Sequence, residues 1–212
     1  MPYLSRLKPL QMEALLPILF ASVAGMGHAF EPDHLLAVGN LISRRETLAE
    51  ALRDGIYWGL GHTTTLVVVG SIILLGRVTF LTSGYFEAAV GLLLIIMGAS
   101  RLLDQRRPAK MRPASAQPRW AFAIGLLHGL AGSGALVLLV MSEIRDPRLS
   151  MLYFLVFGLG SILGMFIVAG LCSVPFTKRM KINRVLKAAT ITLSSLLCIG
   201  YGGWMIYGHL RF

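Results

Sequence analysis

Four ionisable side chains crowd into one short stretch of an otherwise apolar segment. They are His28, Glu31, Asp33 and His34, within the run Gly25–His34. An ionisable side chain at membrane depth costs roughly 2.5–3.5 kcal/mol on insertion scales, so a cluster of them requires a compensating interaction. Imidazoles and carboxylates together are typical ligands of borderline divalent cations such as nickel, cobalt and zinc. The stretch therefore indicates that a metal ion is bound inside a membrane.

The spacing of these residues requires a break in the helix that carries them. On a continuous helix, Asp33 and His34 would lie about 140° and 120° around the axis from His28, so the three could not face one ion. Pro32 cannot continue the hydrogen-bond ladder of a helix. We therefore predict that the first helix is interrupted near Pro32, so that the three side chains converge. The alternative is that the helix simply ends at the membrane surface and leaves a solvated turn.

Two further histidines lie deep in apolar segments. His62 is roughly ten residues into its segment and His128 roughly nine, which places both about 13–15 Å from the same membrane edge. A single buried histidine is more often a hydrogen bond between helices, but three at similar depth beside a carboxylate favour one shared site. His209, near the chain end, is interpreted as interfacial. Four nearby hydroxyls either orient the ligands or join helices: Thr63, Thr64, Thr65 and Ser133.

The elements that must position these residues are membrane spans. The chain has 212 residues, of which 55% are hydrophobic and only 14% charged, whereas globular domains carry about 25% charged residues. Runs of about 20 apolar residues are long enough to cross the hydrocarbon core of a bilayer. The sequence therefore predicts an all-α integral membrane protein. Its six transmembrane helices are expected at 12–30 (with a continuation to 43), 55–76, 85–103, 120–142, 150–174 and 186–208.

Basic residues are distributed unevenly between the two sides that six spans define. Of the 20 lysines and arginines, six fall on the side of the N-terminus and fourteen on the other. The positive-inside rule makes the second side cytoplasmic. This predicts a multi-pass protein of a bacterial or archaeal inner membrane with both termini outside. The formal charge of +10 then reflects topology against anionic headgroups rather than nucleic-acid binding, and the N-terminal apolar run is interpreted as an uncleaved helix.

A basic segment with three prolines, residues 104–118, divides the chain and is interpreted as a cytoplasmic linker. The regions before and after it, 1–103 and 119–212, hold three spans each. Glycine-containing matches relate the two at an offset near 100, as between Gly25 and Gly125. Three spans is an odd number, so the second region would be inverted relative to the first. The sequence thus predicts two inverted three-helix repeats, a plan that places a substrate site near the midplane.

The polar motifs resemble those of the nickel/cobalt transporter (NiCoT) family, within the lysine-exporter-like superfamily. The family signature His-x4-Asp-His is matched by His28, Asp33 and His34, and its Gly-His-Ser/Thr-Thr element by 61–64. The Glu-Pro-Asp-His form and the run 128–134 resemble the small urease-accessory-like membrane relatives in particular. The resemblance spans most of the chain and implies a secondary carrier of nickel or cobalt. Two features depart from well-known members: they have more spans than six, and export-type relatives carry a histidine-rich loop, whose absence here favours uptake.

The leading hypothesis is a permease for Ni²⁺ or Co²⁺ that works by alternating access, one three-helix half rocking against the other. The metal ion is the substrate; no cofactor is predicted, and no nucleotide-binding motif is present. The surrounding bilayer is the expected partner, and a homo-oligomer is compatible with the sequence. The predicted metal ligands are His28, Asp33, His34 and His62, with His128 opposite and Glu31 assisting entry or release.

Three other functions fit the sequence less well than a permease. An exporter of another small solute, such as an amino acid or a sulfur oxyanion, would use the histidines for packing or proton transfer and tolerate loss of Asp33. A membrane metalloenzyme is disfavoured because the chain lacks His-Glu-x-x-His, so no enzymatic activity is predicted. A thiol-redox carrier is disfavoured because Cys172 and Cys198 lie in apolar spans away from the polar helices and are interpreted as small buried hydrophobes.

Overall fold

The computed structural model describes residues 19–76, 85–105, 117–144, 146–176 and 184–210, and every regular element within these ranges is a helix. Most of the predicted linker 104–118 lies outside them. Of the first helix, α1, the structure describes residues 19–28. The others are α2 (Pro32–Ile42), α3 (Leu48–Gly76), α4 (Tyr85–Gln105), α5 (Gln117–Glu143), α6 (Pro147–Ser173, followed by the 3₁₀ turn Val174–Phe176) and α7 (Arg184–Leu210).

Within the described ranges, four helices are long and apolar enough to cross a membrane. They cover Leu48–Leu74, Tyr85–Gln105, Arg148–Phe176 and Val185–His209, and they coincide with four of the six predicted spans. The predicted span 12–30 lies mostly outside the described residues. The predicted span 120–142 coincides with α5, whose side chains are described only in part. The prediction of an all-helical membrane protein is therefore confirmed within the described part of the chain.

The distribution of side chains is the reverse of that in a soluble protein. Large apolar groups point outward along the long helices: Leu159 is 65% exposed and Trp204 is 63% exposed. Polar and ionisable groups instead lie inside the bundle, where Asp54 and His62 are fully buried. Lipid covers such an apolar exterior without cost, whereas water would not.

Glycines bring the long helices into direct backbone contact. Gly61 of α3 lies against the carbonyl oxygen of Phe122 on α5, and Gly125 of α5 lies against the carbonyl oxygen of Trp58 on α3. A Cβ atom at either glycine would overlap with that oxygen. Small residues at helix crossings allow this close approach, which supplies the packing energy that the hydrophobic effect cannot supply between helices in lipid. Similar contacts join α4 to α7 and α3 to α6.

Charged residues tie together one end of the bundle, at the turn between α2 and α3. Arg45 makes a two-pronged hydrogen-bonded ion pair with Asp54 of α3, at 2.6 and 2.8 Å, and both side chains are buried. The neighbouring Arg44 pairs with Asp104 near the end of α4. The turn is thereby fixed to two helices.

Candidate metal centre

The metal centre lies at the break between α1 and α2. Helix α1 ends at His28, and the chain turns through residues 29–31 before Pro32 begins α2. The amide of Glu31 donates to the carbonyl of His28 at 3.1 Å, and Glu31 itself is extended. A residue before proline avoids the helical conformation, and proline is well suited to the first position of a new helix because it lacks an amide hydrogen. The predicted interruption near Pro32 is thus present.

Three histidines converge at this break. His28 at the end of α1, His34 in the first turn of α2 and His62 in the middle of α3 each offer a nitrogen, and these nitrogens lie within 4.8 Å of one another. The Nε2 atoms of His28 and His62 are 3.2 Å apart. Ligand nitrogens about 2.0–2.1 Å from a tetrahedral metal ion are themselves separated by roughly 3.3 Å. The His28–His62 pair is therefore spaced as a metal ion would require, and the nitrogen of His34 lies within 4.8 Å of both.

His128 of α5 adjoins this trio from a second side. Its ring centroid is 5.3 Å from that of His34, and its side chain is 1% exposed. Its Nδ1 lies 3.1 Å from the carbonyl oxygen of Ile124 in the same helix, so the proton resides on Nδ1 and the lone pair on Nε2. Such a backbone contact fixes which nitrogen of a histidine faces a metal. His28, His34, His62 and His128 together are called the histidine cluster below.

The two carboxylates of the motif contact histidines at the more exposed edge of the cluster. An oxygen of Glu31 lies 2.8 Å from Nδ1 of His28, and an oxygen of Asp33 lies 3.1 Å from Nδ1 of His34. Glu31, Asp33 and His34 also form a second group whose ligand atoms lie within 4.8 Å of one another. The Glu31 side chain is 53% exposed and that of Asp33 is 18% exposed. The exposed fraction of the side chains thus decreases from Glu31 through Asp33 to the buried imidazoles.

Several imidazole nitrogens are buried without a hydrogen-bond partner. They are Nε2 of His34, Nδ1 of His62 and Nε2 of His128, whereas Nδ1 of His34 meets only the carboxylate of Asp33. Leaving one buried polar atom unsatisfied costs about 1–3 kcal/mol, and native proteins tolerate few of them. A cation held by these nitrogens and by Asp33 would satisfy them, and its charge would be partly offset by the carboxylates. All six residues predicted as ligands are therefore brought to one region, with Glu31 at its edge.

The threonines beside His62 join helices. The Thr63 hydroxyl donates to the carbonyl of Gly158 on α6 at 3.0 Å, and the Thr65 hydroxyl donates to the carbonyl of Leu126 on α5 at 2.9 Å. Thr64 donates within its own helix. Of the two interpretations drawn from the sequence, Thr63 and Thr65 support polar contact between helices. Ser133 lies outside the described side chains.

The site residues predicted from the sequence do not include one aromatic residue of the centre, Trp58. Trp58 is fully buried, its ring centroid is 5.0 Å from that of His128, and its indole nitrogen has no hydrogen-bond partner. It precedes His62 by four positions, so the two share one face of α3. That spacing could have placed Trp58 beside the cluster from the sequence.

Comparison with known proteins identifies one informative relative. The chain is 31% identical over 210 residues to urease accessory protein UreH of Bacillus sp. (strain TB-90), and the match covers 90% of this chain and 92% of UreH. A scan against protein-family models finds no match, and no solved structure matches the chain. The relative is an accessory protein of urease, which agrees with the prediction that this chain has no enzymatic activity.

Proposed function

Since the chain belongs to the nickel/cobalt transporter-like family that includes UreH, we propose that it is a permease that carries Ni²⁺ or Co²⁺ across a membrane. The proposal rests first on the histidine cluster. Buried imidazole nitrogens without partners are found where a ligand is to be bound, and imidazoles with carboxylates suit these two ions. The same donor set appears inside a bundle whose exterior is apolar, which is where a transported ion must be held.

The proposed route into the cluster begins at the carboxylates. Glu31 is the most exposed of the six residues, Asp33 is less exposed, and His34 is buried. His34 belongs both to the carboxylate group and to the histidine trio. An ion would lose its water in steps along this series, because each position replaces water with protein ligands before the next is reached. Glu31 thus assists entry or release, whereas His28, Asp33, His34 and His62 hold the ion and His128 adjoins them from the opposite side.

The predicted inverted repeat is supported by pairs of equivalent backbone contacts. Gly25 of α1 lies against the carbonyl oxygen of Phe157 on α6, just as Gly125 of α5 lies against that of Trp58 on α3. Gly25 and Gly125 are 100 residues apart, and Trp58 and Phe157 are 99 apart. A pseudo-two-fold axis that exchanges α1 with α5 and α3 with α6 accounts for both contacts. We propose this axis as the symmetry of the permease, with the cluster near it.

Access to the site would alternate through movement of α2. Glycine contacts lock α3 of the first half to α5 and α6 of the second, and α4 to α7, so rigid rocking of whole halves would break tight backbone packing. Helix α2 is only 11 residues long and its one glycine, Gly39, makes no contact of that kind. It carries Asp33 and His34 at its start. A small displacement of α2 would therefore change both the ligand geometry and the access to it.

The distribution of charge supports an assignment of the two sides of the membrane. Arg44 and Arg45 lie with Asp54 and Asp104 at one end of the bundle, and the residues predicted to be cytoplasmic include both arginines. We propose that this end faces the cytoplasm of a bacterial or archaeal cell, with both termini outside.

Transport into liposomes tests the proposal. Purified protein would be reconstituted into vesicles that contain a metal-sensitive dye, and nickel or cobalt would be added outside. Wild type is expected to give saturable metal flux that is lost in His28→Ala, Asp33→Ala and His62→Ala. Thr64→Val is the matched control, because its hydroxyl bonds its own helix and its side chain is exposed. Absence of flux in folded wild type, or flux that survives Asp33→Ala, would favour the export of another solute and contradict the proposal.

A further inference from the structure

A line of polar groups continues from the metal centre along α2 toward the basic end of the bundle. One face of the helix carries, at regular intervals, Asp33, Leu36, Asn40 and Ser43. The polar group of Leu36 in this line is its backbone carbonyl. Asn40 is 2% exposed and Ser43 is 3% exposed. Neither residue contacts the histidine cluster, and neither is needed to hold an ion there. Ser43 caps the end of α2, and its hydroxyl donates to the carbonyl of Asn40 at 2.7 Å. The buried amide of Asn40 within an 11-residue helix of a membrane protein requires a separate explanation.

The facing surface of α7 carries a matching line. The Cys198 thiol donates to the carbonyl oxygen of Leu36 at 3.3 Å and interacts with the Asn40 side chain. Ser195, one turn earlier, is fully buried. Tyr201, one turn later, continues the same face of α7. The two lines meet along the contact between α2 and α7, and we call Asn40, Ser43, Ser195 and Cys198 the α2–α7 seam.

The polar groups of the seam are under-satisfied in this conformation. The Ser195 hydroxyl is buried without a hydrogen bond, and the Asn40 side-chain nitrogen has only its weak interaction with the Cys198 thiol. A seam that served only to hold helices together would be expected to pair its polar groups, because each unsatisfied one costs about 1–3 kcal/mol. Apolar residues of the same size would pack α2 against α7 at no such cost. The under-satisfied groups therefore indicate that something else occupies or passes the seam in another state.

An arginine closes the far end of the seam. Arg101 of α4 donates from Nε to the Ser43 hydroxyl at 2.7 Å and from Nη2 to the Ser43 carbonyl at 2.8 Å. Its positive charge at this point opposes the passage of a cation, and its two-pronged contact ties the end of α2 to α4. Release of Arg101 toward the headgroups would remove both obstacles in one step.

Building on the proposed permease function, we propose that the α2–α7 seam is the route by which the ion passes between the histidine cluster and the basic end of the bundle, and that Arg101 is its gate. Asn40, Ser195 and Cys198 supply an oxygen, a hydroxyl and a soft sulfur to a partly dehydrated ion. Helix α2 opens the seam by moving away from α7 once Arg101 leaves Ser43. Residues of the seam thus govern the rate of passage, whereas the histidine cluster governs affinity.

Cys198 provides a direct measure of whether the seam opens. In a Cys172→Ser background it is the only thiol in the sequence, and a membrane-impermeant methanethiosulfonate reagent reports its accessibility. Arg101→Gln is expected to raise its modification rate by about tenfold, equivalent to roughly 1.4 kcal/mol less cost of opening, and nickel is expected to slow the modification. Arg101→Lys, which keeps the charge but not the two-pronged contact, should lie between the two. Equal rates in wild type and Arg101→Gln would overturn the gate.

Transport and binding together test the route. Asn40→Leu and Ser195→Ala are expected to bind nickel as wild type does in calorimetry, because neither residue touches the cluster, and to lower the flux into liposomes by about tenfold. Thr190→Val is the control on α7, since its hydroxyl bonds only the carbonyl of Leu186 in its own helix.

Two negative results are distinguishable. If wild type carries no metal at all, the permease function itself fails and the route fails with it. If wild type transports and both seam variants transport at its rate, the permease stands and the seam is refuted.

Discussion

Replacement of His62 by alanine gives a quantitative test of the metal centre. The imidazole of His62 is fully buried in the middle of α3, and its Nε2 lies 3.2 Å from that of His28. Its Nδ1 has no partner. His62→Ala thus removes one of three closely spaced nitrogens, and the one hydrogen bond given for its side chain, to His28, is lost with it. We expect a large loss of metal affinity with little loss of protein stability.

The size of the loss follows from the role of the side chain. Removing even an outer partner of a metal ligand lowers affinity 10–100-fold, so removing a ligand should cost at least about 100-fold. This corresponds to roughly 2.8 kcal/mol in binding free energy. The apo protein would lose packing around a small cavity, but it would also lose an unsatisfied buried nitrogen and the crowding of two imidazoles. These effects oppose each other, so the unfolding temperature without metal should change little.

Calorimetric titration of nickel into purified protein provides the measurement. Thr64→Ala is the matched control, two residues further along α3 on its exposed side, and it should bind nickel as wild type does. Thermal unfolding with and without nickel separates affinity from stability, because a ligand stabilises only the state that binds it. An affinity within threefold of wild type in His62→Ala would refute the assignment of His62 as a ligand.

Three other outcomes are expected. His128→Ala should weaken nickel binding about tenfold, less than His62→Ala, because the His128 ring adjoins the trio from outside. Equal losses of affinity for the two variants in calorimetry would place His128 among the nearest ligands. Lowering the pH from about 7.5 to 5.5 should weaken binding in wild type, since imidazole must be deprotonated to bind a metal; titrations that are independent of pH would argue against imidazole ligands. Arg45→Ala should lower the free energy of unfolding by about 3–5 kcal/mol, because it leaves Asp54 charged and unpaired in the interior. The double variant Arg45→Met/Asp54→Leu should recover much of that loss, because it removes both charges. Equal instability of the two variants in a denaturation assay would show that the pair does not act through burial of charge.

The break at Pro32 could be predicted because its cause is local. Proline stops a helix wherever it lies, and the spacing of His28, Asp33 and His34 makes sense only if the helix stops there. The convergence of His62 with them followed from equal depth, which a count of residues gives directly. These parts of the site could be predicted because they depend on short stretches of sequence.

The neighbours of each helix could not be predicted in the same way. Gly61 and Gly125 set the contact between α3 and α5, but a glycine in an apolar run does not reveal which helix it will face. Arg45 was counted among the basic residues of one membrane side, yet it is buried against Asp54. Burial of that pair depends on how the turn after α2 folds back on α3. Such long-range geometry requires the folded chain.

X-ray absorption spectroscopy of the nickel-loaded protein tests the central claim most directly, because it reports the atoms bound to the metal. The account predicts nitrogen and oxygen ligands at about 2.0–2.1 Å, the range seen for histidine and carboxylate ligands of similar ions. It also predicts the outer-shell scattering of at least three imidazoles, with one fewer in His62→Ala. A spectrum of nickel surrounded by water oxygens, without imidazole scattering, would show that the histidine cluster does not hold the ion.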